Sequence, residues 1–266
     1  MRSSLKNVCR LLGEIQQDIP VEQKFLADLK RSIELTDKKN ARKPSQTYKP
    51  SGMNCLRNMY YQVLGVEYES ASNYCLVGIC ESGTDRHERI QSAVSGMKDN
   101  GIDCEYINVA EYVRQRELDY LDIVQEPDFE HGVFETKLFH KKLNMSFLCD
   151  GIIRYGNKYY ITEFKTESLY KWQARKGVAE EHHYQAVAYS TAFGIDDVLF
   201  VYINRDNTDM KCYLYSVTGD MKQDLVGRIE MCNSYVENHS VPPKEETTPR
   251  KTCEYCNYKD QCRKDG

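Results

Sequence analysis

The sequence contains no long apolar segment. None of its hydrophobic runs approaches the roughly 18 residues that a membrane-spanning helix requires, although 41% of the 266 residues are hydrophobic. The first twenty residues, MRSSLKNVCRLLGEIQQDIP, also lack the uninterrupted apolar region and the small-residue cleavage site of a secretion signal. We therefore expect a cytoplasmic protein that does not use a membrane.

An excess of positive charge is also missing. The 36 lysines and arginines are outnumbered by 40 acidic residues, which gives a net charge of −4 and argues against a general basic coat for nucleic acid. A local basic channel remains compatible with that balance, because steering depends on where the charges lie. Residues 38–49, KKNARKPSQTYK, contain no acid. They are either a solvated linker or a basic arm that follows a nucleic-acid strand.

Disulfides are not expected, because eleven cysteines are an odd number in a chain that we expect to be cytosolic. Residues 253–262, CEYCNYKDQC, place three cysteines in a C-x₂-C-x₅-C pattern, which is an incomplete tetrahedral site. A second C-x₂-C, which a four-cysteine zinc site usually contains, is absent. Apart from Cys55, the other cysteines are predicted to be small buried hydrophobes: Cys9, Cys75, Cys80, Cys104, Cys149, Cys212 and Cys232.

The order of predicted elements is that of an α/β domain. A helix with one apolar face is predicted over 21–35, and Asn54 is predicted to cap a second helix that ends at residue 64. The remaining predicted elements are a helix from Gly83, a β-rich stretch from Val133 to Thr166, a helix over 176–193, strands over 198–205 and 210–217, a helix over 219–238, and a loop-like tail after Pro242.

Residues 145–166, MSFLCDGIIRYGNKYYITEFKT, are predicted to form a β-hairpin that turns at Gly156-Asn157. In that register Asp150 faces Glu163, and Lys165 lies on the same face of its strand. Two opposed carboxylates destabilise a sheet unless a cation lies between them, and a divalent metal ion suits oxygen ligands better than one lysine does. An exposed hairpin with a chance carboxylate pair is the alternative.

The Asp-x₁₂-Glu-x-Lys pattern across this hairpin resembles the PD-(D/E)xK nuclease superfamily. His87 lies upstream in GTDRHERIQ, and Gln185 and Tyr189 follow downstream at a spacing that places both on one helical face. This order of motifs resembles the RecB-type branch. The resemblance implies a restriction-endonuclease-like core, with a mixed central sheet flanked by helices.

The same resemblance implies roles for these residues. It implies that His87, Asp150 and Glu163, with the main-chain carbonyl of Phe164, bind Mg²⁺ or Mn²⁺, and that Lys165 assists the attacking water. Gln185 and Tyr189 are then expected to line the site and position the DNA strand. Further candidates for phosphate contacts are Arg57, Lys171 and Arg175.

Cys55 supplies a fourth thiol in the context C-x-R-x₂-Y-Y. One cysteine before the nuclease motifs and three after them, in this spacing, is similar to a subset that includes AddB and the CRISPR-associated RecB-like exonucleases. The resemblance covers about residues 50–262. It implies that Cys55, Cys253, Cys256 and Cys262 bind a structural 4Fe–4S cluster that ties the two ends of the domain together. Thiolates also suit zinc, which is the alternative occupant.

We therefore expect residues 1–49 to form a helical extension and basic linker, 50–240 the nuclease core, and 241–266 the segment that completes the cluster site. The implied function is a metal-dependent DNA exonuclease that acts on ends, with a preference for single strands, in recombination, repair or end processing. A non-catalytic DNA-end-binding subunit and a flap or junction endonuclease are the alternatives. Helicase motifs are absent from the sequence, so an unwinding or recombination partner would be a separate chain.

Overall fold

The computed structural model describes residues 20–40, 43–68, 73–246, 248, 253–254 and 256–266. These residues fall into two compact units. One unit is drawn from Met1–Arg42 and Ser70–Cys80, and the other from Lys43–Glu69 and Glu81–Gly266. Within the described ranges, no helix combines the length and the apolarity that a bilayer crossing needs.

The smaller unit contains helix α1 (Val21–Lys39). This confirms the helix predicted over 21–35. An acidic residue in its first turn and two lysines in its last turn complement the helix dipole. The Glu34 carboxylate accepts a hydrogen bond from the Tyr74 N–H at 3.1 Å, and the Lys30 ammonium lies 4.7 Å from the centre of the Tyr74 ring. These two contacts hold the start of the next helix of this unit.

The larger unit alternates helices and strands. Its described helices are α2 (Leu56–Leu64), α3 (Tyr74–Ser95, from Glu81 onward), α4 (Val109–Gln115), α5 (Leu169–Ala174), α6 (His183–Phe193), α7 (Gly219–Glu237) and α8 (Lys259–Lys264). Its described strands are β1 (Cys104–Ile107), β2 (Leu121–Gln125), β3 (Thr136–His140), β4 (Met145–Cys149), β5 (Gly151–Tyr155), β6 (Lys158–Glu167), β7 (Asp197–Asn204) and β8 (Met210–Ser216).

The strands form two sheets. The larger sheet has the order β1-β5-β6-β7-β8, with β6 and β7 parallel and every other neighbouring pair antiparallel. Helices α5 and α6 lie between β6 and β7 in the chain and make the crossover that a parallel pair needs. The smaller sheet, β2-β3-β4, is antiparallel. The prediction of a mixed sheet flanked by helices is confirmed; the second sheet was not predicted.

The predicted hairpin is confirmed. Strands β5 and β6 are antiparallel from the Tyr155–Lys158 pair to the Gly151–Thr162 pair. Gly156 occupies the turn with φ of +57°, a left-handed conformation that glycine adopts without steric cost. The register therefore places Asp150 and Glu163 as the next opposed positions, one residue before β5 begins.

Several predicted boundaries are wrong. Cys55 rather than Asn54 occupies the N-cap of α2, and the Asn54 amide donates instead to the Glu181 carbonyl at 2.5 Å. Helix α3 begins at Tyr74 rather than Gly83. Gly83 lies inside this helix, with the Thr166 hydroxyl beside it. The helix predicted over 176–193 begins only at residue 183, because the backbone is extended around 175 and 179. The tail contains α8.

The predicted burial of the scattered cysteines is confirmed for Cys104, Cys149 and Cys232. It is wrong for Cys75, Cys80 and Cys212, which are exposed. Cys75 and Cys80 lie on α3, where Gln91 is the one buried residue, and Cys212 lies on the edge strand β8. Cys9 lies outside the described residues.

Candidate functional site

Asp150 is the single residue between β4 and β5, so it lies where the chain passes from the smaller sheet to the larger one. Its main-chain carbonyl accepts hydrogen bonds from Gln91 Nε2 at 2.8 Å and from Tyr106 Oη at 2.6 Å. Its carboxylate accepts from the Phe164 N–H at 2.9 Å. A Cβ on Gly151 would lie only 2.7–2.9 Å from atoms of the Tyr106 ring. Helix α3, strand β1 and strand β6 thus fix this residue together.

Glu163, Lys165 and Gln185 form a closed triangle of hydrogen bonds. Lys165 Nζ donates to Glu163 Oε1 at 2.5 Å and to Gln185 Oε1 at 2.9 Å. Gln185 Nε2 donates to the same Glu163 oxygen at 2.6 Å. Strand β6 presents the first two side chains and helix α6 presents the third, so the sheet and the helix together orient the lysine.

Gln185 and Tyr189 are turned toward the protein interior. Both are buried, at 7% and 3% exposure. Gln185 Nε2 donates to Tyr189 Oη at 2.9 Å, and Tyr189 Oη donates to the Leu148 carbonyl at 2.8 Å. We predicted that these residues position a DNA strand. Gln185 hydrogen-bonds to both Glu163 and Lys165, and Tyr189 holds Gln185, so both residues help to position the acid and the lysine. Their contact with a DNA strand stays a prediction.

One oxygen of Glu163 has no partner. Its Oε1 accepts two hydrogen bonds, whereas Oε2 is buried and makes none with any residue that the structure describes. A buried acceptor without a partner is costly and calls for a bound group. A cation is the natural partner of an anionic oxygen.

His87 and Glu135 complete the surroundings of Asp150. His87 Nδ1 lies 3.8 Å from Asp150 Oδ2, and one ligand atom from each of His87, Glu135 and Asp150 lies within 4.8 Å of the others. Carboxylate oxygens with one imidazole nitrogen suit Mn²⁺ and related dications. We call His87, Glu135, Asp150 and Glu163 the carboxylate cluster.

Sequence reasoning missed Glu135. It directly precedes β3, whose register with β4 pairs Thr136 with Cys149, so the next opposed positions are Glu135 and Asp150. The signal was the second hairpin, which turns at Asn144 with φ of +46°. Glu163, which we predicted as a ligand with His87 and Asp150, lies outside the group within 4.8 Å, because Lys165 and Gln185 hold its carboxylate.

Burial dominates the electrostatics of this cluster. Burial raises the pKa of Asp150 to about 7, against the opposing charge of Lys165. Burial also raises the pKa of Glu163 to about 7, and the charge of Asp150 adds to that shift. For His87, burial lowers the pKa, so its imidazole is neutral and able to bind a metal. Without a cation the two carboxyl groups are therefore partly protonated at neutral pH, and a bound cation would favour their ionised form.

The cysteine set, which we define as Cys55, Cys253, Cys256 and Cys262, lies where α2 meets the C-terminal segment. Arg57, a buried residue of α2, donates to the main-chain carbonyls of Pro242 at 2.7 Å, of Cys262 at 3.0 Å and of Gly266 at 3.0 Å. One arginine therefore fixes both ends of the C-terminal segment to the second helix.

Two sulfur atoms of the cysteine set accept hydrogen bonds. Arg57 Nη1 lies 3.5 Å from Cys262 Sγ. Asn58 Nδ2 lies 3.8 Å from Cys256 Sγ, which also accepts from the Tyr258 N–H at 3.4 Å. Such donors stabilise thiolates. Cys256 and Cys262 thus have hydrogen-bond donors at their sulfurs, although both also pack against the hydrophobic core.

The other three thiols of the cysteine set affect the pKa of Cys256. Burial raises the pKa of Cys256, and the charges of Cys55, Cys262 and Cys253 add to the shift. Among the described residues, no three of these sulfurs lie within 4.8 Å of one another. Sulfurs around one zinc ion lie about 3.8 Å apart, given a Zn–S distance of about 2.3 Å and a tetrahedral arrangement.

Two of the three candidate phosphate contacts are occupied within the protein. Arg57 holds the C-terminal segment. Arg175 Nε donates to Glu167 Oε2 at 2.9 Å, and its guanidinium lies 4.4 Å from the centre of the Tyr202 ring. Lys171 has a side chain that is 53% exposed, which leaves it accessible to a ligand.

No known protein family matches this sequence, and no curated protein matches it. Among solved structures, the chain is similar to the crystal structure of SSO0001, with 16% identity, a TM-score of 0.47, and coverage of 89% of this chain and 96% of that chain.

Proposed function

We propose that this chain is a metal-dependent deoxyribonuclease with a restriction-endonuclease-like core of the RecB type. It hydrolyses phosphodiester bonds at DNA ends and prefers single strands. The observation that carries this proposal is the buried Oε2 of Glu163, which has no partner among the described residues, in a carboxyl group whose other oxygen is held by a lysine. A buried acid, a neighbouring cation and a second buried acid at Asp150 are the parts that metal-assisted hydrolysis uses.

The carboxylate cluster fits one or more divalent ions. His87, Glu135 and Asp150 would hold the ion with their three converging ligand atoms, and Glu163 would add its free oxygen. The imidazole nitrogen suits Mn²⁺, while Mg²⁺ is served by the carboxylates. A dication bound there supplies a lowered water pKa and neutralises charge that develops on the phosphate.

The residues of the chain supply orientation and further charge. Lys165 is held by Glu163 and Gln185, so its ammonium is pre-positioned to hydrogen-bond the attacking water or the oxygens of the phosphate. Tyr189 holds Gln185 in turn. Such pre-organisation avoids reorientation during the reaction.

For the cysteine set we propose a 4Fe–4S cluster. The support is the donor set itself: three thiols whose charges raise the pKa of the fourth, Cys256, with hydrogen-bond donors at two of the sulfurs. Such a group would join α2 to the C-terminal segment and contribute to folding rather than to hydrolysis.

Hydrolysis is tested with a labelled single-stranded oligonucleotide in the presence of Mg²⁺ or Mn²⁺. We expect cleavage by the wild type, and its loss in Asp150→Ala and in Lys165→Ala. Lys98→Ala is the matched control, since Lys98 is an exposed lysine paired with Glu105. Circular single strands should resist an enzyme that needs ends. Unchanged activity in both site variants would refute the assignment, and binding without cleavage would favour an end-binding subunit.

The occupant of the cysteine set is tested by the absorption spectrum of anaerobically purified protein. A broad brown shoulder is expected for the wild type and its loss for Cys256→Ser. A colourless protein that contains stoichiometric zinc would refute the cluster and favour zinc at these cysteines.

A further inference from the structure

A cavity of about 220 Å³ lies beside the catalytic lysine of the proposed enzyme. It is located at the carboxyl ends of the parallel strands β6 and β7, because its lining includes the last residues of β6 and Arg205, which directly follows β7. The carboxyl edge of parallel strands is where open α/β sheets place their ligands. At roughly 30 Å³ for each liquid water, the cavity has the volume of several waters, enough for a phosphate group.

The lining of this cavity is cationic. Lys165, Lys171 and Arg205 contribute positive charges. Of its two acids, Glu167 is already paired with Arg175, and Glu181 lies 3.8 Å from the Lys171 ammonium. Burial lowers the pKa of His182, a further lining residue, to about 3, so its imidazole adds no charge of its own. The hydroxyl groups of Thr166 and Ser168 complete the polar lining.

Arg205 is the residue that indicates a ligand. Its Nε is buried and has no hydrogen-bond partner among the described residues. Its main chain is fixed on both sides, since its N–H donates to the Glu167 carbonyl at 2.7 Å and its carbonyl accepts from Arg86 Nη2 at 2.6 Å. A buried guanidinium nitrogen that has no acceptor among the described residues is costly unless a ligand supplies one. Arginine is the side chain that best matches the geometry of a phosphate.

We propose that this cavity is a phosphate-binding subsite for a nucleic-acid strand, with Arg205 as its anchor and Lys171 at its exposed side. The inference rests on the proposed function for the identity of the strand. Because Lys165 belongs both to the cavity lining and to the hydrogen-bonded triangle with Glu163 and Gln185, a phosphate held here lies next to the site of hydrolysis. The subsite thus sets which phosphate of the strand is presented for cleavage.

The phosphate comes from one of two sources. It is either an internal phosphodiester or a terminal phosphate monoester, which carries more negative charge. Both are bound by the same arginine chemistry. A terminal monoester would make the subsite a detector of phosphorylated ends, whereas a diester would make it a general contact with the strand.

The test measures equilibrium binding of a fluorescent oligothymidylate in EDTA, where hydrolysis cannot proceed. Strands with a 5′-phosphate, a 3′-phosphate or hydroxyl ends are compared for wild type and Arg205→Ala. We expect about tenfold weaker binding in the variant and a salt slope reduced by about one. Arg114→Ala is the control, because this substitution removes the same charge. Arg114 is half exposed and is paired with Glu126. It should bind as the wild type does.

The two sources give different patterns. If a terminal monoester is bound, the preference of the wild type for one phosphorylated end disappears in Arg205→Ala. If a diester is bound, all strands weaken equally. Equal binding by Arg205→Ala and Arg114→Ala, with the same salt slope, would overturn the subsite.

Two further variants keep the test decisive. Arg205→Lys retains the charge but loses the planar fork, so its affinity should lie between those of wild type and Arg205→Ala. If the alanine variant does not fold, binding is measured with Lys171→Ala, since Lys171 is half exposed. Weaker binding by this variant is expected, and binding equal to that of the wild type would overturn the proposal. Because these measurements need no cleavage, a protein that binds through Arg205 but never cuts DNA would refute the nuclease and keep the subsite.

Discussion

The carboxylate cluster and the cysteine set are built in opposite ways. Asp150 and Glu163 are brought together by one hairpin, and the hydrogen bonds around them involve buried side chains of neighbouring elements. The cysteine set joins residues from the two ends of the larger unit, and the 198-residue separation of Asn58 and Cys256 illustrates its span. In the first site, two residues close in the chain bring buried acids together, which is electrostatically unfavourable. The second site joins distant residues and closes a long loop.

This difference predicts which property each site controls. A buried acid pair lowers stability without a cation, because desolvation opposes ionisation. A contact that closes a long loop raises stability, because it restricts the unfolded chain. Changes in the carboxylate cluster should therefore affect activity more than folding, and changes around the cysteine set should do the reverse.

The largest effect is expected for Glu163→Gln. The amide keeps the shape of the side chain but removes the negative charge, so hydrolysis should fall by about a thousandfold, in line with the loss of an essential metal-site group. The metal-free variant should be more stable than the wild type at pH 8, since one of the two buried anions is removed and Asp150 no longer faces a second negative charge. Kinetics with Mn²⁺ and urea unfolding in EDTA measure the two quantities. Loss of both activity and stability would contradict the expectation that the carboxylate cluster affects activity more than folding.

Arg57→Ala should give the next largest effect, on stability. Its guanidinium donates to three main-chain carbonyls of the C-terminal segment, and its loss should cost about 3 kcal/mol of unfolding free energy. The folded fraction should hydrolyse DNA at the normal rate. Thermal unfolding and limited proteolysis report on the change, with the exposed Arg114→Ala as control. A variant that is stable but inactive would contradict the separation of the two sites.

The pH dependence of the metal-free protein should reveal the carboxylate cluster. The pKa values of Asp150 and Glu163 are raised to about 7 in the folded protein, above their ordinary values near 4 in the unfolded chain. The folded state thus binds more protons between these values, and stability is lost as pH rises from about 4 to about 7. At about 1.4 kcal/mol for each pKa unit, we expect a loss of several kcal/mol from the two groups together.

Urea unfolding in EDTA at several pH values measures this loss, and the difference from Glu163→Gln isolates the pair from other titrating groups. Adding Mn²⁺ at pH 8 should restore stability, because a bound dication favours the ionised carboxylates. Equal pH slopes for the wild type and the variant would show that the pair does not titrate as its burial implies.

The smallest effect is expected for Glu135→Gln. This side chain is only partly buried, and its loss should weaken Mn²⁺ binding by about tenfold, the lower end of the effects seen when metal-site partners are removed. Isothermal titration calorimetry measures the affinity directly. The exposed Glu130→Gln is the matched control and should bind Mn²⁺ normally. An unchanged affinity would remove Glu135 from the ligand set.

Sequence alone predicted the local half of the site. Gly156-Asn157 determined the register of the hairpin, so the opposition of Asp150 and Glu163 followed from residues close in the chain. Gln185 and Tyr189 were placed on one helical face by their spacing. Both inferences needed only the two periodicities of regular structure.

Other features lay beyond that reasoning. Glu135 reaches Asp150 through a hairpin whose turn contains Asn144 in a left-handed conformation, and the surrounding KKLN has no glycine to signal it. The break between α5 and α6 depends on Arg175, whose side chain is fixed by Glu167. Arg205 carried no signal in the sequence, because its proposed role rests on a buried Nε that has no partner among the described residues.

Gly151 gives the position of Asp150 an unusual dependence. Its missing side chain leaves room for the Tyr106 ring, whose hydroxyl holds the neighbouring carbonyl. A single methyl group added at residue 151 would push that ring aside and shift an acidic group that it never touches. Residue 151 therefore cannot carry a side chain without displacing Tyr106. The position of Asp150 depends on a glycine that has no functional group of its own.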